Sequence, residues 1–267
     1  MSADKRFLAK NIQKKEELIV AYCAYTNMPF VVCDPESYND QIWLFDTEAQ
    51  LQEFAKPYTE KKVLLRGVKY PNKAFLSFFS TLFTMGVNEL AFVSENGTET
   101  IELTELVQQP DFSKLPQEKR PIMNPELQLT GMYFMQEASR PIPMEEKEQL
   151  PELEEELAAN LTKARYLVPI EFLEGEESDM EKLKNKKYRF PILKNKNGDV
   201  MQPLFTDPVE LGKFNKENKF KALTLPFDNL SKLLVGESKG FLLNPLGFHI
   251  AMPKELLDGL TKRFGEE

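Results

Sequence analysis

One pattern constrains the fold more than any other, because it occurs twice. Ile42 to Phe54 reads Ile-Trp-Leu-Phe-Asp-Thr-Glu-Ala-Gln-Leu-Gln-Glu-Phe, and Gln202 to Phe214 reads Gln-Pro-Leu-Phe-Thr-Asp-Pro-Val-Glu-Leu-Gly-Lys-Phe. At a constant offset of 160 residues, Leu44, Phe45, Leu51 and Phe54 meet Leu204, Phe205, Leu211 and Phe214. The physical reading is the same in both copies. Leu-Phe ends a strand. Asp46 and Thr47, or Thr206 and Asp207, accept hydrogen bonds from the free N–H groups that open a helix. Pro208 suits a first helical position, where a missing N–H costs nothing. Leu51 and Phe54, like Leu211 and Phe214, then lie on one helical face.

The surroundings repeat in the same order. A strand with a Pro near its start precedes each motif, at Pro29 to Cys33 and at Phe190 to Leu193. The second copy then carries Lys196, Asn197, Gly198 and Asp199, and Asn-Gly is a strong hairpin-turn signal. Beyond the helix comes an apolar strand, Val63 to Leu65 or Ala222 to Leu225, and a second helix, Ala74 to Thr84 or Asn229 to Val235. Gly86 and Gly236 suit helix stops. A further strand follows, Leu90 to Val93 or Gly240 to Leu243, and a closing segment near Glu102 to Val107 or Lys254 to Arg263. Each copy opens with a charged helical stretch running into an apolar strand, Lys14 to Tyr25 and Pro151 to Phe172. Hairpin and crossover connections together predict an α/β fold of α+β character, with two related units, each a mixed β-sheet flanked by helices. The expected division is 1–107, a connector 108–150, and 151–267.

The connector holds Pro110, Pro116, Pro121, Pro125, Pro141 and Pro143, a density that argues against a long helix. Within it, Leu127, Leu129, Tyr133 and Met135 alternate at period two, so Leu127 to Glu137 is expected to add a strand to an edge of one unit. Glu145 to Glu156 is acidic and reads as a solvated helix closing the connector.

Composition narrows the function classes. A net charge of −8 argues against binding duplex nucleic acid or an anionic membrane through a basic face. The N-terminal residues lack the apolar core of a secretion signal, and no apolar run reaches spanning length, which predicts a cytoplasmic protein. Two cysteines, Cys23 and Cys33, form no disulfide framework and are expected as buried thiols. The single His249, twelve glycines without a phosphate-loop spacing, and carboxylates in solvated runs supply no catalytic set, no cofactor loop and no metal cluster.

One local feature stands apart. Phe241 to Gly247 is an apolar strand running into Asn244, Pro245, Leu246 and Gly247, where Asn-Pro forces an extended residue and then a turn. Together with the strand end at Phe205 and Thr206, the residues Asn244, Pro245 and Gly247 are the candidate interaction surface.

Tyr166 to Pro169 (Tyr-Leu-Val-Pro), Phe205-Thr206, Leu225 to Phe227 (Leu-Pro-Phe), Leu230 and Leu243 to Pro245 (Leu-Asn-Pro) with Gly247 resemble the N-terminal domain of the SseB family, named for enhanced serine sensitivity. The resemblance spans about residues 160 to 260 and is weaker in the first half, which lacks the Leu-Val-Pro and Asn-Pro elements. It implies a bacterial cytosolic protein and brings no catalytic residues with it. The expected role is a non-enzymatic interaction or regulatory module with a protein partner. The alternative is a small-molecule (amino-acid) sensor or an enzyme with a pocket between the two units. A homodimer built on exposed Phe side chains is the third option.

Overall fold

The computed structural model describes residues 3–173, 188–194 and 198–264, which form two compact units, Met1–Glu118 with Gln128–Glu154 and Lys119–Leu127 with Glu155–Glu267. In the first unit, helix α1 (Ala3–Lys14) leads into strands β1 (Glu17–Cys23), β2 (Met28–Pro29), β3 (Val31–Cys33) and β4 (Asp40–Phe45). Helix α2 (Glu48–Glu60), strand β5 (Leu65–Pro71) and helix α3 (Phe75–Leu82) follow, then strands β6 (Glu89–Ser94) and β7 (Gly97–Glu102) and the single turn α4 (Leu103–Leu106). Helices α5 (Pro125–Ala138) and α6 (Leu150–Lys163) come next. The second unit carries strands β8 (Arg165–Phe172), β9 (Tyr188–Arg189), β10 (Leu193–Lys194) and β11 (Val200–Leu204), helix α7 (Pro208–Phe214), strands β12 (Lys221–Pro226), β13 (Gly240–Leu243) and β14 (Ile250–Pro253), and helix α8 (Lys254–Phe264).

The two units pair their strands in the same way. In the first, β1 is antiparallel to β2, β4 and β5, β3 is antiparallel to β4, β4 is parallel to β6, and β6 is antiparallel to β7. In the second, β8 is antiparallel to β9 and β12, β10 to β11, and β13 to β14, while β11 is parallel to β13. A lone bridge between Leu167 and Phe205 takes the place of the β1–β4 ladder. The first unit's strands therefore join in one seven-stranded sheet, whereas the second's fall into a four-stranded and a three-stranded piece. The fold is α/β with mixed sheets.

The repeated motif packs as its spacing predicts. Phe45 and Phe54 lie 5.2 Å apart between ring centroids, and Phe205 and Phe214 lie 5.4 Å apart. Thr47 closes a capping box with Gln50 at the start of α2, and the Asp207 carboxylate accepts from Val209 and Glu210 at the start of α7. The first core gathers Ile19, Ala21, Cys23, Phe30, Phe45, Leu51 and Val63. Tyr166, Phe205, Phe227, Phe241 and Phe248 are fully buried in the second. Each such aromatic contributes on the order of 2 kcal/mol by leaving water.

Three expectations are corrected. Leu127 to Glu137 is not a strand but most of α5. Pro125 stands in the first helical turn, where it is harmless, and the next proline is Pro141, so the connector leaves room for a helix. Among its buried residues Gln128, Met132 and Gln136 recur at the helical spacing of four. Asn229 to Val235 forms no α-helix; Phe227–Asn229 and Ser231–Leu233 are separate 3-10 turns. Asp228, Asn229 and Ser231 are residue types that compete for nearby backbone, and neither turn has the side-chain cap that Asp207 gives the equally short α7. Cys23 is buried but Cys33 is exposed, because it ends the short strand β3. Strand β10 pairs antiparallel with β11, with Leu193 opposite Met201; Lys196 and Asn197 of the expected turn lie outside the described residues. Among the described residues no helix is long and apolar enough to cross a membrane.

Candidate interaction site

The strand ends of the second unit bring the predicted residues together, but mostly inside. Parallel pairing sets Leu204 beside Leu243, so the next residues, Phe205 and Asn244, leave the sheet side by side. Phe205, Thr206 and Asn244 have no exposure at all, and Gly247 is buried. Only Pro245 reaches partly to solvent, with Leu246, which sequence reasoning passed over, 51% exposed next to it. The surface expected from the sequence is thus corrected to a buried strut carrying an exposed turn.

The strut is a closed hydrogen-bond network. The Asn244 side chain accepts from the Thr206 N–H at 3.1 Å and donates to the Thr206 hydroxyl at 2.9 Å. That hydroxyl donates to the Asp207 carboxylate at 2.7 Å. The other Asp207 oxygen accepts from the N–H groups of Val209 and Glu210 at 2.8 and 3.0 Å. Asn124 closes the outer side, donating to the carbonyls of Thr206 at 2.6 Å and Arg165 at 2.8 Å. In a buried setting each unmade bond would carry a desolvation penalty, so such a network holds its members in one geometry.

The network fixes the turn above it. The Asn244 carbonyl accepts from the N–H groups of Gly247 at 2.8 Å and His249 at 3.1 Å. Asn244 and His249 bracket the turn at φ of +46° and +44°, so Asn244 is left-handed rather than the extended residue expected before proline; Asn and His tolerate these values better than most residues. A Cβ on Gly247 would lie 2.8 Å from the Glu210 carboxylate, so a larger residue there would push that side chain aside. His249 is exposed and closes the turn. Elsewhere, Glu171 is held down to about 2 by the Arg189 guanidinium and then by the Lys219 ammonium, at 2.6 and 2.9 Å.

The first unit holds a cleft of about 660 Å³ that the sequence did not disclose. Phe30, Val63 and Tyr58 supply its apolar wall, and Tyr133, Gln136 and Arg140 of α5 its polar side. Arg140 is fixed by two bonds to the Glu137 carboxylate at 2.7 and 2.8 Å and by one to the Lys61 carbonyl at 2.9 Å. Burial pushes the Tyr58 phenol up. Because its walls come from segments about 100 residues apart, no local motif could have pointed to it. Among the described residues no group of three or more His, Cys, Asp or Glu is placed to hold a metal ion.

Fold and site together define a class: paired α/β units whose polar strand-end residues serve an internal network beneath an exposed turn. Within it, residues 144–258 match the family model of the SseB protein N-terminal domain, the segment over which the sequence resemblance lies. No curated protein matches the chain. Two solved structures are similar at low level. Anabaena Tic22, described as a protein-transport protein, shares 11% identity over 86% of this chain and 84% of its own, with a TM-score of 0.21. Tic22 from Plasmodium falciparum shares 13% over 97% of this chain and 99% of its own, with a TM-score of 0.22. TM-scores of this size do not define a common fold.

Proposed function

We propose that the protein is a non-enzymatic interaction or regulatory module of the bacterial cytoplasm, and that its second unit presents the turn from Pro245 to His249 to a protein partner. One observation carries this reading: an exposed Leu246 stands on a turn whose base is locked by a buried network. Thr206, Asp207 and Asn244 spend their polar atoms on one another and on backbone, which suits a scaffold better than a reaction. A rigid apolar tip binds with little ordering cost. The common topology of the units supports a tandem duplication in which the second copy kept the role. The test is Leu246→Asp in the full chain. It is expected to leave the melting temperature unchanged and to lose the partners that co-purify with the parent protein; retention of all of them would refute the placement.

A second reading, a sensor of small molecules, is favoured by the first unit's cleft and its fixed Arg140. Its test is a thermal-shift screen against free amino acids, serine included. A dose-dependent rise at millimolar ligand supports it, and flat curves reject it.

A further inference from the structure

Strand β5 lies at the rim of its sheet with one side open. It pairs with β1 along its full length, from Leu65 opposite Cys23 to Pro71 opposite Glu17, and with no other strand among the described residues. In an antiparallel ladder, hydrogen-bonded and non-bonded pairs alternate. The Ala24 N–H donates to Leu64 at 2.9 Å and the Asn72 N–H to Glu16 at 2.7 Å, which fixes the phase. Arg66, Val68 and Tyr70 therefore bond inward to β1, and the backbone groups of Leu65, Gly67 and Lys69 point out from the sheet. Among the described residues these outward N–H and C=O groups bond to no other backbone.

A groove of about 330 Å³ runs beside that open edge, between it and α2. Ile19, Leu51, Ala55 and Leu65 line it with apolar surface. Gly67 is required here, since a Cβ would lie 2.8 Å from Leu51 and 2.9 Å from Ile19. The charge along this edge is opposite to that of the whole chain. Residues 61–73 include Lys61, Lys62, Arg66, Lys69 and Lys73 and no acidic residue, in a protein of net charge −8; Glu48 of α2 also lines the groove and pairs with Lys69 at 2.9 Å, which leaves Arg66 as the lining cation outside that pair.

We infer that β5 and α2 form a docking groove for an extended acidic–apolar polypeptide strand, which adds antiparallel or parallel to the Leu65–Lys69 edge. The outward amides and carbonyls supply main-chain bonds, and alternate apolar side chains of the guest enter the groove. Arg66, with the lysines that flank the strand, selects acidic residues on the guest's solvent side, away from Glu48. It also opposes self-pairing, because two copies would bring like charges together. This inference rests on the interaction-module reading but uses a different unit from the Pro245–His249 turn.

The probe is a capped seven-residue peptide alternating Val and Glu, with Lys in place of Glu as its control, titrated into the labelled full-length protein to about 1 mM. The amide signals of Leu65, Gly67 and Lys69 are expected to shift saturably, and their hydrogen exchange to slow tenfold or more. The Lys peptide is expected to bind at least tenfold more weakly, and Ala55→Trp, which fills the groove from α2, to abolish binding without unfolding the protein. Leu246→Asp is expected to bind the peptide like the parent chain. Absent or unsaturable shifts at the three amides, or equal binding of both peptides, would overturn the inference and leave the turn-based proposal standing. Shifts confined to residues 244–249 would overturn it in favour of that proposal.

Discussion

The two units solve one structural problem with different chemistry. Where β4 ends, Asp46 takes an ion pair with Lys15 at 2.8 Å that is still partly wet. At the matching point of the second unit Thr206 is fully buried and held by Asn244, whose own counterpart by ladder position is Val93. The first unit thus anchors its strand end with a screened charge pair, and the second with a neutral network sealed from water. A wet pair tolerates drift, and a sealed one fixes geometry. That is why the turn above the network is the better candidate for presenting a side chain.

The largest expected effect tests that contrast directly. Asn244→Ala orphans the buried Thr206 N–H and is expected to cost about 2–4 kcal/mol in urea unfolding. Asp46→Ala is expected to cost about 0.5–1 kcal/mol, as for a partly exposed ion pair. Equal losses would erase the distinction. The helix caps give the next step. Asp207→Ala removes a buried acceptor of three bonds and is expected to cost about 2 kcal/mol, against about 1 kcal/mol for Thr47→Ala at the same position of α2.

The rim strands sharpen the comparison further. Gly67 pairs with Ala21 where Ala222 pairs with Pro169, and the adjoining helix is α2, with thirteen residues, in one unit and α7, with seven, in the other. Gly67→Ala is expected to destabilise by about 1–3 kcal/mol through contact with Leu51 and Ile19. Ala222→Gly is expected to cost about 0.5–1 kcal/mol, from backbone entropy alone. The smallest effect concerns pH. Glu171 falls from the usual 4.5 to about 2 when folded, so its contribution is full above 4.5 and is lost as pH drops through 2. Glu171→Gln is expected to flatten the acid limb of stability in that window, read from urea midpoints at successive pH values.

What the sequence disclosed was whatever is local. Leu204, Phe205, Leu211 and Phe214 carry a strand end, a cap and a helical face within thirteen residues, and their packing follows. Asn244 was visible as a turn former, but its burial depends on Thr206, 38 residues away. No local pattern reports a partner at that distance. The two-residue strands β2 and β9 exist only because β1 and β8 pair with them. Helix α5 was hidden for a related reason. Its apolar positions fit period two, and the polar residues that mark its buried stripe, Gln128 and Gln136, are uninformative until their surroundings are known.

Gln136 of α5 carries one more consequence. Its side-chain amide accepts from the Val31 N–H at 2.9 Å and donates to the Val31 carbonyl at 3.0 Å, the same pair of bonds a neighbouring strand would make. A single glutamine thereby does at the β3 rim what the connector was expected to do with a whole strand. Rims that are left open recruit other molecules of the same kind and seed insoluble assemblies. The residue therefore bears on how long the protein stays dispersed at high concentration as well as on how stably it folds, and replacing it would show first as turbidity on storage.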